Sequence, residues 1–358
     1  MNGINRPTLL VDRKKCVDNI NFMVSKARSK GVTLRPHFKT HQNVEVGRWF
    51  REFGIDRITV SSVPMAQKFA QDGWNDITIA FPFVSSQAEN INSLAKEIKL
   101  QLVVSSFNNA KNLANSLSEK IGFFLEVDSG QNRSGFNAND TKLIEQTIEL
   151  ISSKSNLRFC GFLTHAGQTY GHKPNEVIDI HTKAKELMVH LKNLFIEDYP
   201  DIIISYGDTP SSTAADDFSG INEIRPGNFV FYDMQQASNN ICTTANIAAA
   251  MACPVVAIYP ERNSATIWGG AVHLSKDFYF LPDGAKSFGA ICKLNEDLSW
   301  SEPIEGLYIQ SLSQEHGVIA ATNPSALSKI SEGEIIAVLP AHSCLAASCI
   351  GNSTTFST

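Results

Sequence analysis

Strand-like and helix-like patterns alternate strictly through the first two thirds of this 358-residue chain. Such alternation is typical of parallel strands joined by crossover helices. Eight units of this kind favour a closed (β/α)8 barrel over an open doubly wound sheet. The runs that we interpret as barrel strands are Thr33–Arg35, Ile58–Ser61, Asp76–Ala80, Leu100–Val104, Gly122–Val127, Phe159–Thr164, Ile202–Tyr206 and Glu223–Arg225.

The stretches that flank these runs have the apolar spacing of amphipathic helices. They predict helices over Lys14–Ser29, Asn43–Phe53, Met65–Asp72, Ala88–Ile98, Asn109–Ser118, Asp140–Ser152 and Asn175–Phe195. We interpret Gly207–Ser212, which follows the seventh strand, as a loop.

Beyond about Asn239 the pattern changes to short apolar runs separated by turn residues, which predicts an antiparallel β domain. Its expected strands are Val255–Tyr259, Ala265–Trp268, Phe278–Leu281, Gly306–Leu312 and Ile335–Leu339. The strand-like segment Thr8–Asp12 precedes the first helix, so it is free to pair with this domain. We therefore expect a barrel over residues 14–238 and a β domain built from residues 1–13 and 239–358.

The composition excludes several classes of protein. The formal net charge is −5 and basic residues form no run, which argues against nucleic-acid binding. No segment approaches the ~20 apolar residues of a membrane-spanning helix, and the first residues lack the apolar core of a signal peptide. Seven cysteines without a framework spacing indicate reduced thiols. These features predict a cytoplasmic protein that does not bind membranes.

Two segments contain the residue types of a reactive site. Lys39 ends a short apolar strand, lies between His37 and His41, and precedes a helix-like run. A strand end fixes the amine, and burial or neighbouring cations lower the pKa of a lysine, so Lys39 suits condensation with an aldehyde. His342 and Cys344 lie two residues apart in a predicted strand, where alternate side chains share a face, and this pair suits zinc.

Polar and glycine-containing loops follow the other barrel strands, at the ends where barrel enzymes place their reactive groups. A loop that presents Arg133 follows the fifth strand, and His165 with Tyr170 follows the sixth. The loops after the seventh and eighth strands supply hydroxyls and backbone N–H groups, as a phosphate site requires. The candidate residues of these two loops are Gly207, Thr209, Arg225, Gly227, Asn228 and Tyr232. Each loop alone is compatible with a structural turn, but their coincidence at successive strand ends indicates a site.

Six motifs follow one another over nearly the whole chain: Arg35–His41, Thr164–Gly167, Glu223–Asp233, Gly269–Asp277, Ser313–Gly317 and Pro340–Cys344. Together they resemble the D-serine dehydratase and D-threonine aldolase family, pyridoxal-phosphate enzymes of the alanine-racemase fold. The resemblance implies that Lys39 links covalently to the cofactor and that Arg133 and His165 lie beside its ring. It places the cofactor phosphate at the loops Gly207–Ser211 and Arg225–Asn228, and it implies a homodimer.

The same resemblance separates two kinds of metal site. Dehydratase-like members have His-x-Cys near the C-terminus, and aldolase-like members have His-x-Asp. The chain has His342-Ser343-Cys344, which favours the dehydratase and, because thiolate is a soft ligand, zinc. Ala341 stands where the family often has asparagine, so the resemblance leaves the substrate open. It also places Glu315 and His316 near the active site, without assigning them a role.

We therefore expect a zinc-assisted lyase that eliminates water from a D-3-hydroxy amino acid and yields a 2-oxo acid and ammonia. Lys39 is the expected base, and the metal held by His342 and Cys344 assists departure of the β-hydroxyl. The alternatives are aldol cleavage to glycine and an aldehyde, racemisation, which needs no metal, and a non-catalytic pyridoxal-phosphate carrier. Known carriers consist of a barrel alone, so the predicted β domain and the His-x-Cys pair argue against the last alternative.

Overall fold

The computed structural model describes residues 4–351 and 354–357 and divides them into two compact units. The barrel unit comprises Phe22–Lys39 and Val44–Gly227. The β unit comprises the residues up to Asn21, the short segment Thr40–Asn43 and the residues from Asn228 onwards. Two of the places where the chain changes unit are therefore the peptide bonds that follow Lys39 and Gly227.

Eight parallel strands form the barrel sheet within the described residues. They are Thr33–Leu34, Ile58–Val60, Asp76–Pro82, Lys99–Val104, Ile121–Asp128, Leu157–Thr164, Ile203–Tyr206 and Glu223–Ile224. From the second strand to the eighth, each strand pairs with the next along the chain, and the eighth pairs with the first. A parallel bridge between His37 and Thr59 connects the first strand to the second and closes the cylinder. The (β/α)8 barrel predicted from the sequence is confirmed.

Helices precede the first barrel strand and connect each strand to the next. They are Arg13–Ser29, Val44–Arg51, Val63–Gln71, Ala88–Ala95, Phe107–Ser116, Thr141–Ser152, Pro174–Phe195 and Thr209–Ala214. Ser62, Ser106 and Asp140 begin three of them, because each side chain accepts a hydrogen bond from a backbone N–H of the first turn. The helix Thr209–Ala214 corrects the prediction of a loop after the seventh strand.

The β unit contains a closed antiparallel barrel of six strands. In spatial order these are Ser264–Trp268, His316–Ala321, Leu307–Leu312, Gly289–Lys293, Ile335–Pro340 and Ala249–Tyr259, and the last pairs back to the first. Thr8–Asp12 pairs antiparallel with Ala249–Tyr259, so the N-terminal strand joins this sheet as expected. Thr354–Ser357 extends the sheet through a parallel pairing with Thr8–Asp12 that was not predicted from the sequence.

Short elements complete both units. The remaining strands are Phe136–Asn137, Tyr279–Phe280 and Lys286–Ser287, and the remaining helices are Met234–Ser238, Ala271–Leu274, Pro324–Leu327 and Ser343–Ile350. Single 3-10 turns lie at Ser85–Gln87, Gly167–Thr169, Asn228–Val230, Thr244–Asn246 and Pro260–Arg262. Across residues 4–351 and 354–357, no helix combines the length and the apolar character needed to cross a membrane.

Candidate active site

Lys39 lies in the turn that follows the first barrel strand. Its backbone N–H is 3.3 Å from Nδ1 of His37, and the N–H of His37 donates to the carbonyl of Pro226 at 2.9 Å. The preceding Phe38 is fully buried, with its ring centroid 4.9 Å from that of Phe69. The chain on the N-terminal side of Lys39 is therefore held by aromatic packing and by the end of the eighth strand.

His165 follows the sixth barrel strand and is partly buried. Its Nδ1 donates to the carbonyl of Gly207 at the end of the seventh strand, which fixes the tautomer with the proton on Nδ1. Burial lowers the pKa of His165 to about 3, and the positive charges of Lys39, Arg133 and Arg225 lower it in the same direction. His165 is therefore neutral at physiological pH, and its Nε2 carries a lone pair.

The residues after the seventh strand form the start of helix Thr209–Ala214. Asp208 is the capping residue: it is 2% exposed and accepts hydrogen bonds from the N–H of Ser211 at 2.6 Å and the hydroxyl of Thr169 at 3.0 Å. The hydroxyl of Tyr170 lies 3.5 Å from the N–H of Thr209. Oγ1 of Thr209 is buried and has no hydrogen-bond partner among the described residues.

Arg225 follows the eighth strand and is 5% exposed. Its Nη1 donates to the hydroxyl of Ser205 at 2.7 Å and its Nη2 to the carbonyl of Thr164 at 2.8 Å. Burial lowers the pKa of Arg225 to about 10, although the carboxylates of Glu223 and Glu126 raise it. This pKa still lies well above 7, so the guanidinium is charged at neutral pH.

Glycine at position 207 allows the close approach of Arg225. A Cβ atom added to Gly207 would lie 2.9 Å from Cβ of Arg225 and 3.2 Å from its carbonyl oxygen. Gly227 is buried two residues beyond Arg225. Arg133 differs from these residues, since its side chain is half exposed and its Nη2 is 3.8 Å from Oε1 of Glu126. The structure thus places all the predicted barrel residues at the carboxyl ends of the strands.

We call these barrel residues the barrel cluster: Lys39, Arg133, His165, Tyr170, Gly207, Thr209, Arg225 and Gly227. The predicted residues from Asn228 onwards belong to the β unit instead.

The pair His342 and Cys344 does not lie on a strand, so this part of the prediction is wrong. The strand ends at Pro340, His342 is the capping residue, and Cys344 lies in the first turn of helix Ser343–Ile350. The chain turns because Oδ2 of Asp233 accepts the N–H of Ser343 at 3.1 Å, which satisfies the start of the helix. The two side chains nevertheless lie close enough for each to shift the pKa of the other, and we call them the metal pair.

Asp233 orients the histidine of the metal pair. Its Oδ2 lies 3.0 Å from Nδ1 of His342, which leaves Nε2 as the atom available to a metal. Burial lowers the pKa of His342, but the Cys344 thiolate and the Asp233 carboxylate outweigh it and hold this pKa well above its usual range. Asp233 is fully buried and also caps helix Met234–Ser238.

Thr40 and Asn228 contact the sulfur of the metal pair. Oγ1 of Thr40 lies 3.2 Å from Sγ of Cys344, and Nδ2 of Asn228 lies 3.5 Å from it. Burial raises the pKa of the Cys344 thiol, but His342 and the hydrogen bonds of Thr40 and Asn228 lower it below its usual value. His342 is therefore more basic than an ordinary imidazole and Cys344 more acidic than an ordinary thiol, and a metal ion that binds the pair displaces the protons held there.

The structure also locates the last two predicted cofactor residues. The side chain of Asn228 donates to Asp233 at 2.7 Å and to Ser343 at 3.0 Å, and so supports the metal pair. Tyr232 is buried with a positive φ of 47°, a conformation that is rare for an aromatic residue, and it immediately precedes Asp233. Whether either residue also contacts a cofactor stays a prediction.

Sequence patterns did not single out Asp208, Asp233, Thr40, Ser205 or Glu223. The dipeptide Asp208–Thr209 before Pro210 is a helix-start signal that was available in the sequence. Asp233 is 109 residues away from His342, so no local pattern connects them. In the described part of the chain, no three His, Cys, Asp or Glu side chains are grouped so as to hold a metal ion. The metal pair therefore offers two ligands.

Comparison with known proteins defines first the class and then the family. Residues 11–235 match the model of the alanine racemase N-terminal domain, and residues 248–355 match that of the putative serine dehydratase domain. The fold is thus that of the alanine-racemase-like proteins. The chain belongs to the D-serine dehydratase and D-threonine aldolase family of pyridoxal-phosphate enzymes, as the sequence motifs indicated. It is a pyridoxal-phosphate-dependent lyase.

Three characterised proteins illustrate the similarity. The D-serine dehydratase of Dictyostelium discoideum is 29% identical over 97% of this chain and 92% of its own length. The D-threonine aldolase of Arthrobacter sp. is 23% identical over 95% of this chain and 86% of its own length. The D-threo-3-hydroxyaspartate dehydratase of Delftia sp. HT23 is 25% identical in its solved structure, with a TM-score of 0.88 over 97% of this chain and 93% of that one. Solved structures of D-threo-3-hydroxyaspartate dehydratase include a histidine variant and a metal-free variant of the cysteine two positions later.

The barrel cluster fits the cofactor that this family uses. Pyridoxal phosphate is an anion with several hydrogen-bond acceptors and an aldehyde. Within the described residues, the buried Oγ1 of Thr209 and Nε of Arg225 have no hydrogen-bond partner, although buried polar groups are normally paired. Lys39 provides an amine in the same unit. These groups supply what the cofactor requires.

Proposed function

We propose that the chain is a zinc-assisted dehydratase of D-3-hydroxy amino acids, with D-serine as the reference substrate. In this reaction the α-proton and the β-hydroxyl leave the substrate, and water then releases a 2-oxo acid and ammonia. The metal pair supports this proposal best: a histidine fixed by Asp233, and a cysteine in place of an acidic ligand, hydrogen-bonded at its sulfur by Thr40 and Asn228.

The barrel cluster suits the first half of the reaction. Pyridoxal phosphate, when bound, delocalises negative charge from the α-carbon of an amino acid. We assign removal of the α-proton to Lys39, whose segment is held by Phe38 and His37. His165 is neutral and its Nδ1 is committed to Gly207, so it adds no positive charge to its surroundings. Arg225 and Thr209 provide buried donors suited to an anionic ligand.

The metal pair suits the second half of the reaction. Zinc supplies Lewis acidity that makes a hydroxyl a better leaving group. Cys344 and Nε2 of His342 would hold it, and thiolate with imidazole suits zinc better than magnesium or calcium. The metal-free cysteine variant of D-threo-3-hydroxyaspartate dehydratase supports this assignment by analogy, since that cysteine also follows a histidine by two positions.

Aldol cleavage is the second candidate, because the Arthrobacter D-threonine aldolase aligns over 95% of this chain. In that reaction a base removes the proton of the β-hydroxyl, and the bond between the α- and β-carbons breaks to release an aldehyde. The α-carbon then takes up a proton, which gives glycine. Two features favour dehydration: the third residue of the motif is Cys344 rather than aspartate, and the Delftia and Dictyostelium relatives are both dehydratases. Racemisation has no support from the metal pair, because it needs no Lewis acid.

A product assay distinguishes these reactions. The purified holoenzyme is incubated with D-serine and with D-threonine, before and after treatment with a chelator, and 2-oxo acid, ammonia, glycine and the L-enantiomer are quantified. We expect a 2-oxo acid and ammonia in equal amounts, and loss of both on chelation with recovery when zinc is returned. Glycine with an aldehyde as the main products would replace the proposal with the aldolase.

Helix Ser343–Ile350 offers a matched control for the cysteine. Cys344 is buried in its first turn, and Cys349 is exposed near its end. Cys344→Ala should lose zinc and dehydration, whereas Cys349→Ala should keep both. If metal-free Cys344→Ala dehydrates D-serine at the wild-type rate, zinc has no part in the reaction.

Two further expectations from the sequence remain proposals. The family resemblance implies a homodimer, which analytical ultracentrifugation of the holoenzyme tests directly. The thiol content and the composition of the chain imply a cytoplasmic location, which imaging of a tagged chain in its native cell would test.

A further inference from the structure

A chain of hydrogen-bonded polar side chains runs from the exposed Lys99 into the barrel and ends at the buried Arg225. Nζ of Lys99 donates to Asp76 at 2.8 Å, and Nη1 of Arg35 donates to the same carboxylate at 2.7 Å. Nε of Arg35 then donates to Oε2 of Glu223 at 2.9 Å. The other oxygen of Glu223 continues the chain towards Arg225.

Ser205 connects Glu223 to Arg225. Its hydroxyl donates its single proton to Oε1 of Glu223 at 2.6 Å and accepts from Nη1 of Arg225 at 2.7 Å. Ser205 is fully buried and Glu223 is 2% exposed, so water does not compete for these bonds. Because the serine proton is committed to the carboxylate, the serine oxygen can only accept from Arg225.

These contacts determine where the guanidinium of Arg225 points. Nη1 is held by Ser205 and Nη2 by the carbonyl of Thr164, and a planar group held at two nitrogens cannot rotate. The third nitrogen, Nε, is buried and lacks a partner among the described residues. An unpaired N–H on a buried cation is unfavourable, so a structure retains it where a ligand supplies the acceptor.

We propose that Ser205 and Glu223 are positioning residues, which hold Arg225 so that its Nε donates to an acceptor atom of the bound cofactor. The inference rests on the proposed use of pyridoxal phosphate by the barrel cluster. It assigns a binding role to Ser205, which lies outside the six sequence motifs, and to Glu223, to which the motifs assigned no role. The far end of the chain, Asp76 and Lys99, serves the stability of the barrel and not the cofactor.

The experiment measures the Kd of pyridoxal phosphate for cofactor-free protein, by titration and absorbance, together with the absorbance maximum of the bound cofactor. Ser205→Ala removes the connection and retains the charges of Glu223 and Arg225. We expect Ser205→Ala to raise the Kd of pyridoxal phosphate about tenfold and to shift the absorbance maximum of the bound cofactor. Glu223→Gln keeps an oxygen that can accept from Ser205, so its Kd should lie between those of wild type and Ser205→Ala.

Asp76→Asn is the matched control, because it breaks the same chain at the other end and leaves Ser205 untouched. It should lower the melting temperature yet keep the Kd within about twofold of wild type. A Ser205→Ala protein that is folded by circular dichroism and binds the cofactor like wild type overturns the inference. An equal loss of affinity in Asp76→Asn also overturns it, since the chain would then act only through barrel stability. Failure of the wild-type protein to bind pyridoxal phosphate would instead refute the proposed function.

Discussion

Asp208 lies between Gly207 and Thr209 of the barrel cluster, and its burial can be tested without substrate or cofactor. Its buried carboxylate caps helix Thr209–Ala214 and accepts hydrogen bonds from Ser211 and Thr169. Burial raises the pKa of Asp208 from 3.8 to about 6, although these hydrogen bonds and Arg225 act in the opposite direction. The folded protein therefore binds this proton more tightly than the unfolded chain does.

The sign and the size of the effect follow from this difference. With an unfolded pKa of 3.8 and a folded pKa of about 6, the contribution of Asp208 to stability is fully present at low pH. It is lost as the pH rises from about 4 to above 6. Each pKa unit corresponds to about 1.4 kcal/mol, so the whole loss amounts to roughly 3 kcal/mol. About 1.3 kcal/mol of it falls between pH 5 and pH 7, by the same relation.

Asp208→Asn removes the titration and keeps an oxygen that can accept from Ser211. The free energy of unfolding of the cofactor-free protein is measured in urea at pH 5, 6 and 7, by fluorescence to which the buried Trp49 and Trp74 contribute. We expect the free energy of unfolding of the variant, minus that of the wild type, to rise by about 1.3 kcal/mol between pH 5 and pH 7.

The control for this experiment is Asp140→Asn, which changes the exposed carboxylate that caps helix Thr141–Ser152. All other titrating groups are common to the proteins compared, so they cancel in the difference. A difference between Asp208→Asn and wild type that is flat with pH, or that falls as the pH rises, would refute the burial argument.

Three further outcomes follow from the structure. Lys39→Ala should leave no cofactor attached after borohydride reduction, as intact mass will show, and a label on another lysine would contradict its assignment. Gly207→Ala should destabilise the protein by about 1–3 kcal/mol in thermal unfolding, because the new Cβ would lie 2.9 Å from Cβ of Arg225. Asp233→Asn should weaken zinc binding about 10- to 100-fold in competition with a chelating dye, since it disturbs the hydrogen bond to His342. Unchanged zinc affinity would mean that Asp233 only caps its helix.

The barrel was predictable because its strands are nearly continuous apolar runs. Parallel strands covered by helices are buried on both faces, and seven of the eight residues of Ile121–Asp128 are buried. The first six of these runs are each followed by an amphipathic helix, and the order of the strands in the sheet follows their order in the sequence. The predicted site residues of the barrel then fell at the strand ends by topology alone.

The metal pair shows where local patterns fail. The sequence analysis extends the last predicted strand through His342 and Cys344. In the structure the strand ends at Pro340, and a helix begins at Ser343. A local signal existed, since Ala346 and Ala347 favour a helix and Gly351, with a φ of 64°, ends it. The carboxylate of Asp233 that caps the new helix comes from a distant part of the chain. Contacts between residues so distant in the sequence depend on the fold and produce no periodic pattern in the sequence.

Two of the places where the chain changes unit complicate the assignment of roles by mutation. Lys39 belongs to the barrel cluster, and the next residue, Thr40, contacts the sulfur of Cys344. Gly227 and Asn228 are consecutive in the same way, and Asn228 also contacts that sulfur. Consecutive Cα atoms are about 3.8 Å apart, so a backbone shift at either place disturbs both the barrel cluster and the metal pair. Loss of activity after substitution at these four positions therefore assigns neither role, and the affinities for zinc and for pyridoxal phosphate must be measured separately in each variant.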